Sequence, residues 1–261
     1  MKTIVVVQAR TGSTRLPHKV LMPAAGATLL QRMLERVRAA AIPDEVVVAT
    51  THLLADDVIA QLAHRLDIAC VRGHETDLLD RHLTAARVHE ADVIVKIPSD
   101  CPLIDPVTID RVLAVFRTSP RVQYMSNLHP PSWPDGFDVE VMTYEALACA
   151  WREARRPLDR EHTTPYLWDN PQRFVVGNVS WGRDWDASKI YRLTLDHLED
   201  YELIRAIYDE QWSPLRHFTL DDMLEMLADR PELAATNAMH LGATWIQRHK
   251  SELLTYQGGL S

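Results

Sequence analysis

The chain has 261 residues, 46% of them hydrophobic, enough to bury the core of one large domain or of one domain with a small extension. A net charge of −8 without a basic tract argues against a nucleic-acid partner, and no apolar stretch approaches the roughly 20 residues that cross a bilayer, so no membrane partner is expected either. Cys70, Cys101 and Cys149 show no CxxC spacing and an odd count; with an opening Met-Lys-Thr that runs straight into a strand, they lead us to expect reduced thiols, no cleaved signal and a cytoplasmic protein.

The first element is a strand over 3–7, where Ile4-Val5-Val6-Val7 strings β-branched residues together. Gln8-Ala9-Arg10-Thr11-Gly12-Ser13-Thr14-Arg15-Leu16-Pro17-His18-Lys19 follows at once, a Gly/Ser/Thr loop with three cations in a chain that is acidic on balance. A strand opening into such a loop presents backbone N–H groups and positive charge to phosphate, so we read it as the seat of a nucleoside triphosphate. Leu29, Leu30, Met33, Leu34 and Val37 then recur at helical spacing. Strands over 45–49, 69–71 and 93–97 alternate with helices over 56–66 and 78–88. This repetition implies right-handed crossovers and a mostly parallel, Rossmann-like sheet flanked by helices, with ligands outside the carboxyl ends of the strands.

Ser99-Asp100-Cys101-Pro102-Leu103-Ile104-Asp105 leaves the strand over 93–97 on that same edge. A carboxylate at Asp100 is placed to hold Mg²⁺ against phosphate oxygens, or else to close a turn. Asp105-Pro106 matches helix N-cap and first-turn preferences. After a Pro/Gly loop over 130–136, a strand over 137–142 puts Asp138 and Glu140 on one face, where two acids need a metal, a cation, a hydroxylated ligand or solvent between them. A helix is read over 144–154. Arg160-Glu161-His162 opens another, with Arg160 and His162 either receiving an anionic acceptor or simply solvated. Strands over 173–179 and 189–195 follow, the second ending at Asp196, which is either a metal ligand or the N-cap of a helix over 198–208. Residues 213–256 read as helical, either an extension that contacts a second copy or one that packs back on its own domain. Walker A, GxGxxG, GxSxG and zinc spacings are absent.

With these strings assembled, the chain resembles the SpsF-like spore coat polysaccharide biosynthesis proteins. These group with the cytidylyltransferases that make CMP-activated sugar acids, such as CMP-KDO and CMP-acylneuraminate synthetases. The matching pieces are the loop from Gln8 to Pro17, Val47-Val48-Ala49-Thr50-Thr51, Arg72-Gly73, Asp77-Leu78-Leu79-Asp80-Arg81, the string from Asp100 to Asp105, the string from Pro134 to Glu140, Arg160-Glu161-His162 and Leu193-Thr194-Leu195-Asp196. Two departures stand out: His18 where the pattern usually has Gly, and Pro98-Ser99 where it usually has Thr-Gly.

The resemblance implies a GT-A-type nucleotidyltransferase fold over residues 1–212 with a helical C-terminal extension over 213–261. It implies that Gln8, Ala9, Arg10, Gly12 and Ser13 line the nucleotide pocket with Ser99, that Arg15 and Lys19 hold the triphosphate, and that Thr50, Thr51, Arg72 and Asp80 hold base and ribose. Asp100 and Asp196 would be the Mg²⁺ ligands, Arg15, Lys19 and Asp100 the catalytic groups, and Asp138, Glu140, Arg160 and His162 the acceptor contacts. The implied reaction is CMP transfer from CTP to an acidic sugar or a phosphonate, releasing pyrophosphate. Many similar enzymes pair, and the sequence leaves open whether this tail makes a homodimer. The rivals are a GT-A glycosyltransferase, for which Asp184-Trp185-Asp186 is the candidate metal motif, and a non-catalytic protein on the same fold.

Overall fold

In the computed structural model, which describes residues 1–257, the apolar runs assemble into β1 (Thr3–Gln8), β4 (Glu45–Thr51), β5 (Ala69–Gly73), β6 (Val93–Pro98), β7 (Tyr124–Ser126), β8 (Glu140–Thr143) and β9 (Val176–Asn178). A separate hairpin joins β2 (Pro23–Ala24) to β3 (Ala27–Thr28). The main sheet has the order β5-β4-β1-β6-β8-β7-β9. β5, β4, β1 and β6 are parallel, and β8 enters antiparallel between β6 and β7. The mostly parallel α/β sheet expected from the sequence is therefore present.

Period two assigns the buried β1 residues to two cores. Val5 and Val7 pack with α1 (Leu29–Arg38), α2 (Asp57–Arg65), α4 (Pro106–Arg117), α8 (Leu198–Gln211) and α9 (Leu220–Asp229). Ile4 and Val6 pack with α3 (Leu78–Val88), α5 (Tyr144–Glu153), α6 (Pro157–His162) and α7 (Pro165–Trp168). Three short helices follow α9: α10 (Pro231–Ala234), α11 (Trp245–Arg248) and α12 (Leu254–Gln257). Among the described residues no helix is long and apolar enough to cross a membrane.

The caps follow their side chains. Thr28 accepts from the Gln31 amide at the start of α1, and Asp105 accepts from the Val107 amide at 3.0 Å at the start of α4. The second Asp105 oxygen accepts from the Leu220 amide at 2.8 Å, so one carboxylate joins the heads of α4 and α9.

Four local expectations change. Only Glu140–Thr143 of the 137–142 stretch enters the sheet; Asn127 holds the preceding residues instead, donating to the Phe137 carbonyl and accepting from the Val139 amide. Only Val176–Asn178 of 173–179 is a strand. Residues 189–195 run beyond the sheet's end, and their backbone bonds go to loops: Leu193 donates to the Asp135 carbonyl at 2.7 Å and Leu195 to the Asp100 carbonyl at 2.8 Å. Arg160-Glu161-His162 closes α6 rather than opening a helix, because Pro157 takes the first turn.

Of residues 213–256, Phe218 and then Leu220, Met223 and Leu227 of α9 are buried in the core shared with α1 and α4. The chain then returns across the carboxyl edge of the sheet and buries Leu253 in the opposite core.

Candidate active site

The carboxyl ends of β1 and β6 open into a cleft of about 830 Å³, lined on one side by the loop after β1 and on the other by residues around Asp135, Asp138 and Asp196. The loop's shape comes from Asp56, which accepts from both the amide and the hydroxyl of Thr11 at 2.7 Å and from the Thr51 hydroxyl. Burial raises the Asp56 pKa, but the Thr51 and Thr11 bonds outweigh it and hold the carboxyl below its ordinary value. The Thr11 carbonyl in turn accepts from the Ser13 and His18 amides. His18 sits at φ 58°, ψ 18°, the left-handed region that glycine adopts most readily. That conformation explains why the family pattern usually has Gly there.

The loop delivers two cations onto an acid that lies 181 and 177 residues away in sequence: Arg15 Nη2 is 2.6 Å and Lys19 Nζ 2.9 Å from Asp196 Oδ1. Lys19 also lies 3.8 Å from Asp100 Oδ2 and donates to the Leu195 carbonyl at 2.6 Å. Asp100 and Asp196 approach one another because their backbones are stitched together: the Asp100 carbonyl accepts from the Leu195 amide and, at 3.0 Å, from the Thr194 hydroxyl. Asp196 is not the N-cap of α8. His197 takes that place and Asp200 completes a capping box, which leaves the Asp196 carboxylate turned to the cleft cations.

Behind Asp196 lies a charge cluster invisible in the residue pattern. Arg192 forks onto Asp200 at 2.9 and 3.0 Å, reaches Asp135 at 3.0 Å, and lies 3.5 Å from Asp196 Oδ2. Burial pushes the Asp135 carboxyl up to about 6 against the pull of Arg192, with Asp100 and Asp196 adding to the rise. The neighbouring Gly136 has φ 104°, and a Cβ there would lie 2.5 Å from the Leu193 backbone, so the close approach of these two loops requires glycine.

At the cleft's other end Lys96 pairs with Glu140 in a buried ion pair, and the Tyr124 hydroxyl donates to Glu140 at 2.6 Å. Burial works against the Glu140 charge, but Lys96 outweighs it and keeps the carboxyl below its ordinary value. Asp138 opens onto the cleft beside them; burial, then Asp135 and Asp100, push its pKa well up. His162 stacks on Trp245 with ring centroids 3.9 Å apart, and burial holds its pKa down to about 3.

Gln8, Ala9, Arg10, Ser13, Arg15, Lys19, Ser99, Asp100, Asp138, Glu140, His162 and Asp196 thus share one cleft. Gly12 belongs to the loop that borders it. Thr50 and Thr51 are fully buried beneath β4's end, and the Thr51 hydroxyl is committed to Asp56. Arg72 is turned to Asp57 and the Thr51 and Leu53 carbonyls. Asp80 accepts from the Trp151 indole at 2.8 Å, and Arg160 binds Asp77 and the Trp151 carbonyl, so neither faces the cleft. Sequence reasoning missed Asp56, Lys96, Asp135 and Arg192 as members of the site. Lys96 carried one usable signal, a charge inside an otherwise apolar run.

A parallel α/β sheet whose edge gathers a cationic loop and paired acids defines a nucleotide-handling transferase. The family model described as Cytidylyltransferase matches residues 4–227. The spore coat polysaccharide biosynthesis protein SpsF of Bacillus subtilis is 32% identical over 78% of this chain and 85% of that protein. The 3-deoxy-manno-octulosonate cytidylyltransferase of Trichlorobacter lovleyi is 36% identical over 46% of this chain and 47% of that one. Among solved structures, a cytidylyltransferase from Leptospira borgpetersenii superposes with a TM-score of 0.83 at 33% identity, covering 90% of this chain and 97% of that one. The chain belongs to the cytidylyltransferase family and is a nucleotidyltransferase enzyme. The glycosyltransferase alternative is not favoured: Asp184, Trp185 and Asp186 do not line the cleft, and Asp186 is bound to Ser188 and Lys189.

Proposed function

We propose that this enzyme transfers CMP from CTP to a small acidic sugar, with an acceptor oxygen attacking the α-phosphorus and pyrophosphate leaving. The observation that carries this reading is the meeting of Arg15 and Lys19 with Asp196 and Asp100 across the edge of the sheet. Arg15, a third exposed, is free to exchange its bond to Asp196 for forked bonds to the β- and γ-phosphates, and Lys19 serves as a nearly buried point charge beneath them. In the loop over 9–15 the Ala9, Thr11 and Ser13 amides are bound within the protein, and among the described residues those of Gly12 and Thr14 are left as donors for the phosphate chain. At the deep end the Gln8 carboxamide oxygen is buried with no hydrogen-bond partner among the described residues, and this unspent acceptor suits an exocyclic amino group such as that of cytosine.

Asp100 and Asp196 suit a Mg²⁺ ion. Their oxygens are hard donors, they converge on one ammonium, and among the described residues no three metal-binding side chains gather, so substrate oxygens and water would complete the shell. When bound, the ion neutralises charge on the α-phosphate and orients the acceptor oxygen. The protein's part is positioning and charge compensation. Asp138 and Glu140 line the acceptor end, where the Asp138 carboxyl is placed to hydrogen-bond sugar hydroxyls and Glu140 stays tied to Lys96, and His162, kept neutral, bounds it.

A pyrophosphate-release screen tests the reading: each of the four nucleoside triphosphates with Mg²⁺ is offered against sugar acids, phosphonates and neutral sugars. CTP-specific release with a sugar acid is the expected result. Release of a nucleoside diphosphate from nucleotide sugars, without pyrophosphate, would replace it with sugar transfer.

A further inference from the structure

The segment after α9 is tied down on both sides of the cleft and crosses it between. On one wall the buried Asn237 donates to the Arg192 carbonyl at 2.9 Å and to Asp200 at 2.8 Å, and His240 stacks on His197 with centroids 3.8 Å apart. On the other wall Leu253 is fully buried, Arg156 donates to the Glu252 carbonyl at 2.9 Å, and the Thr255 hydroxyl donates to Asp169 at 2.7 Å. Between these anchors residues 242–249 line the cleft, with Trp245 laid flat on His162. The crossing lies beyond residue 227, where the family match ends.

The crossing segment brings a cation that the rest of the site lacks. Arg15 and Lys19 are held by Asp196, Lys96 by Glu140, Arg192 by Asp200 and Asp135, and Lys189 by Asp186. Arg10 lies 4.0 Å from Glu75, and Arg81 reaches the Ala49 and Glu75 carbonyls at 3.4 Å. Among the described residues the Arg248 guanidinium makes no hydrogen bond and no ion pair, yet it lines the same cleft. Arg15, Asp196 and Arg192 line that cleft with it, and their charges act on it.

The acceptor end has the opposite character. Its floor carries Asp135, Asp138 and Glu140, and its one cation, Lys96, is already neutralised by Glu140. With Glu140 tied to Lys96 and the Asp138 carboxyl pushed well up by burial, none of these groups offers a free cation, and an acceptor's carboxylate needs one from elsewhere. We propose that Arg248, carried across the cleft by the C-terminal segment, binds the acceptor's carboxylate and thereby selects acidic over neutral sugars. This deepens the cytidylyl-transfer reading and rests on it.

The test uses the full chain with CTP and Mg²⁺, and as probes 3-deoxy-manno-octulosonate, N-acetylneuraminate and neutral mannose. Arg248→Gln is expected to raise the KM of the sugar acid roughly tenfold or more, the value of one charge-assisted hydrogen bond, while kcat and the KM for CTP stay near wild type. Arg248→Lys, which keeps the charge, should recover part of the loss. Arg248 is exposed, and an unchanged melting temperature in both variants excludes misfolding as the explanation. A rise in the KM for CTP instead, or no change in either KM, overturns the proposal. CTP turnover by the wild type with mannose but with neither acid also overturns it while leaving cytidylyl transfer standing. Absence of CTP turnover with every acceptor defeats the cytidylyl-transfer reading itself.

Discussion

The two ends of the cleft use charge in opposite ways. At the phosphate end, Arg15 and Asp100 keep about a third of their side-chain surface in solvent, and the pairs they make with Asp196 and Lys19 are open to exchange for a ligand's oxygens. At the acceptor end, Lys96 and Glu140 are both buried and locked on one another; burial keeps His162 there neutral, with a pKa of about 3, and does the same outside the cleft lining for His82 and His129, at about 3 and 4. Exchangeable ions recognise a polyanion at little structural cost, whereas buried ones shape a pocket and resist rearrangement. The difference teaches that ion pairs in a single cleft divide into those that bind and those that build.

The contrast breaks most readily with acid. For a histidine whose folded pKa is depressed, the unfolded chain binds protons first, so stability is complete above the unfolded value near 6.5 and is lost as pH falls toward the folded value. With three such histidines the urea midpoint should fall between about pH 6.5 and 4; Asp135, raised to about 6, and Asp138, raised well above its ordinary value, bind protons first in the folded state and oppose the trend over most of that range. A midpoint that stays level on acidification would mean these rings are charged in the folded protein.

Lys96→Met should come next, at about 3–5 kcal/mol of stability, because Glu140 would be left buried without its counter-ion, held by hydroxyls alone. Lys96→Met combined with Glu140→Leu should regain most of that loss, and equal melting temperatures for the single and double variants would show that the pair is not coupled. Arg15→Ala should cost roughly 2–4 kcal/mol of transition-state stabilisation in kcat/KM, with folding stability changed by less than about 1 kcal/mol. Near wild-type turnover in that variant would remove Arg15 from the chemistry. The smallest effect is expected away from the cleft: Asp105→Ala should lose about 1 kcal/mol as a helix cap, and hydrogen exchange at the heads of both α4 and α9 should report it.

Much of the fold was legible along the chain because its signals are local. The β-branched run of β1, the 3.6-residue period of α1 and the Asp105-Pro106 cap all state their structure within a few residues. The loop over 8–19 was legible for the same reason, as it follows its strand directly. Residues 189–195 misled because alternation reports an extended, half-buried backbone without saying whether a strand or a loop will pair with it. The assignments of Thr51, Arg72, Asp80 and Arg160 did not place them in the cleft, since each spends its polar atoms on neighbours that only folding supplies.

By itself the sequence determined the alternation of strands and helices, the phosphate-seeking loop and the acids at the sheet's carboxyl edge, because these depend on composition and spacing over short range. Tertiary structure alone decided that Asp196 faces Arg15 and Lys19 across more than 170 residues, that Lys96 is tied to Glu140, and that Arg248 reaches the cleft unpaired among the described residues. Those outcomes rest on which charges meet once water is excluded, and a charge's partner is a property of the packed chain rather than of its order.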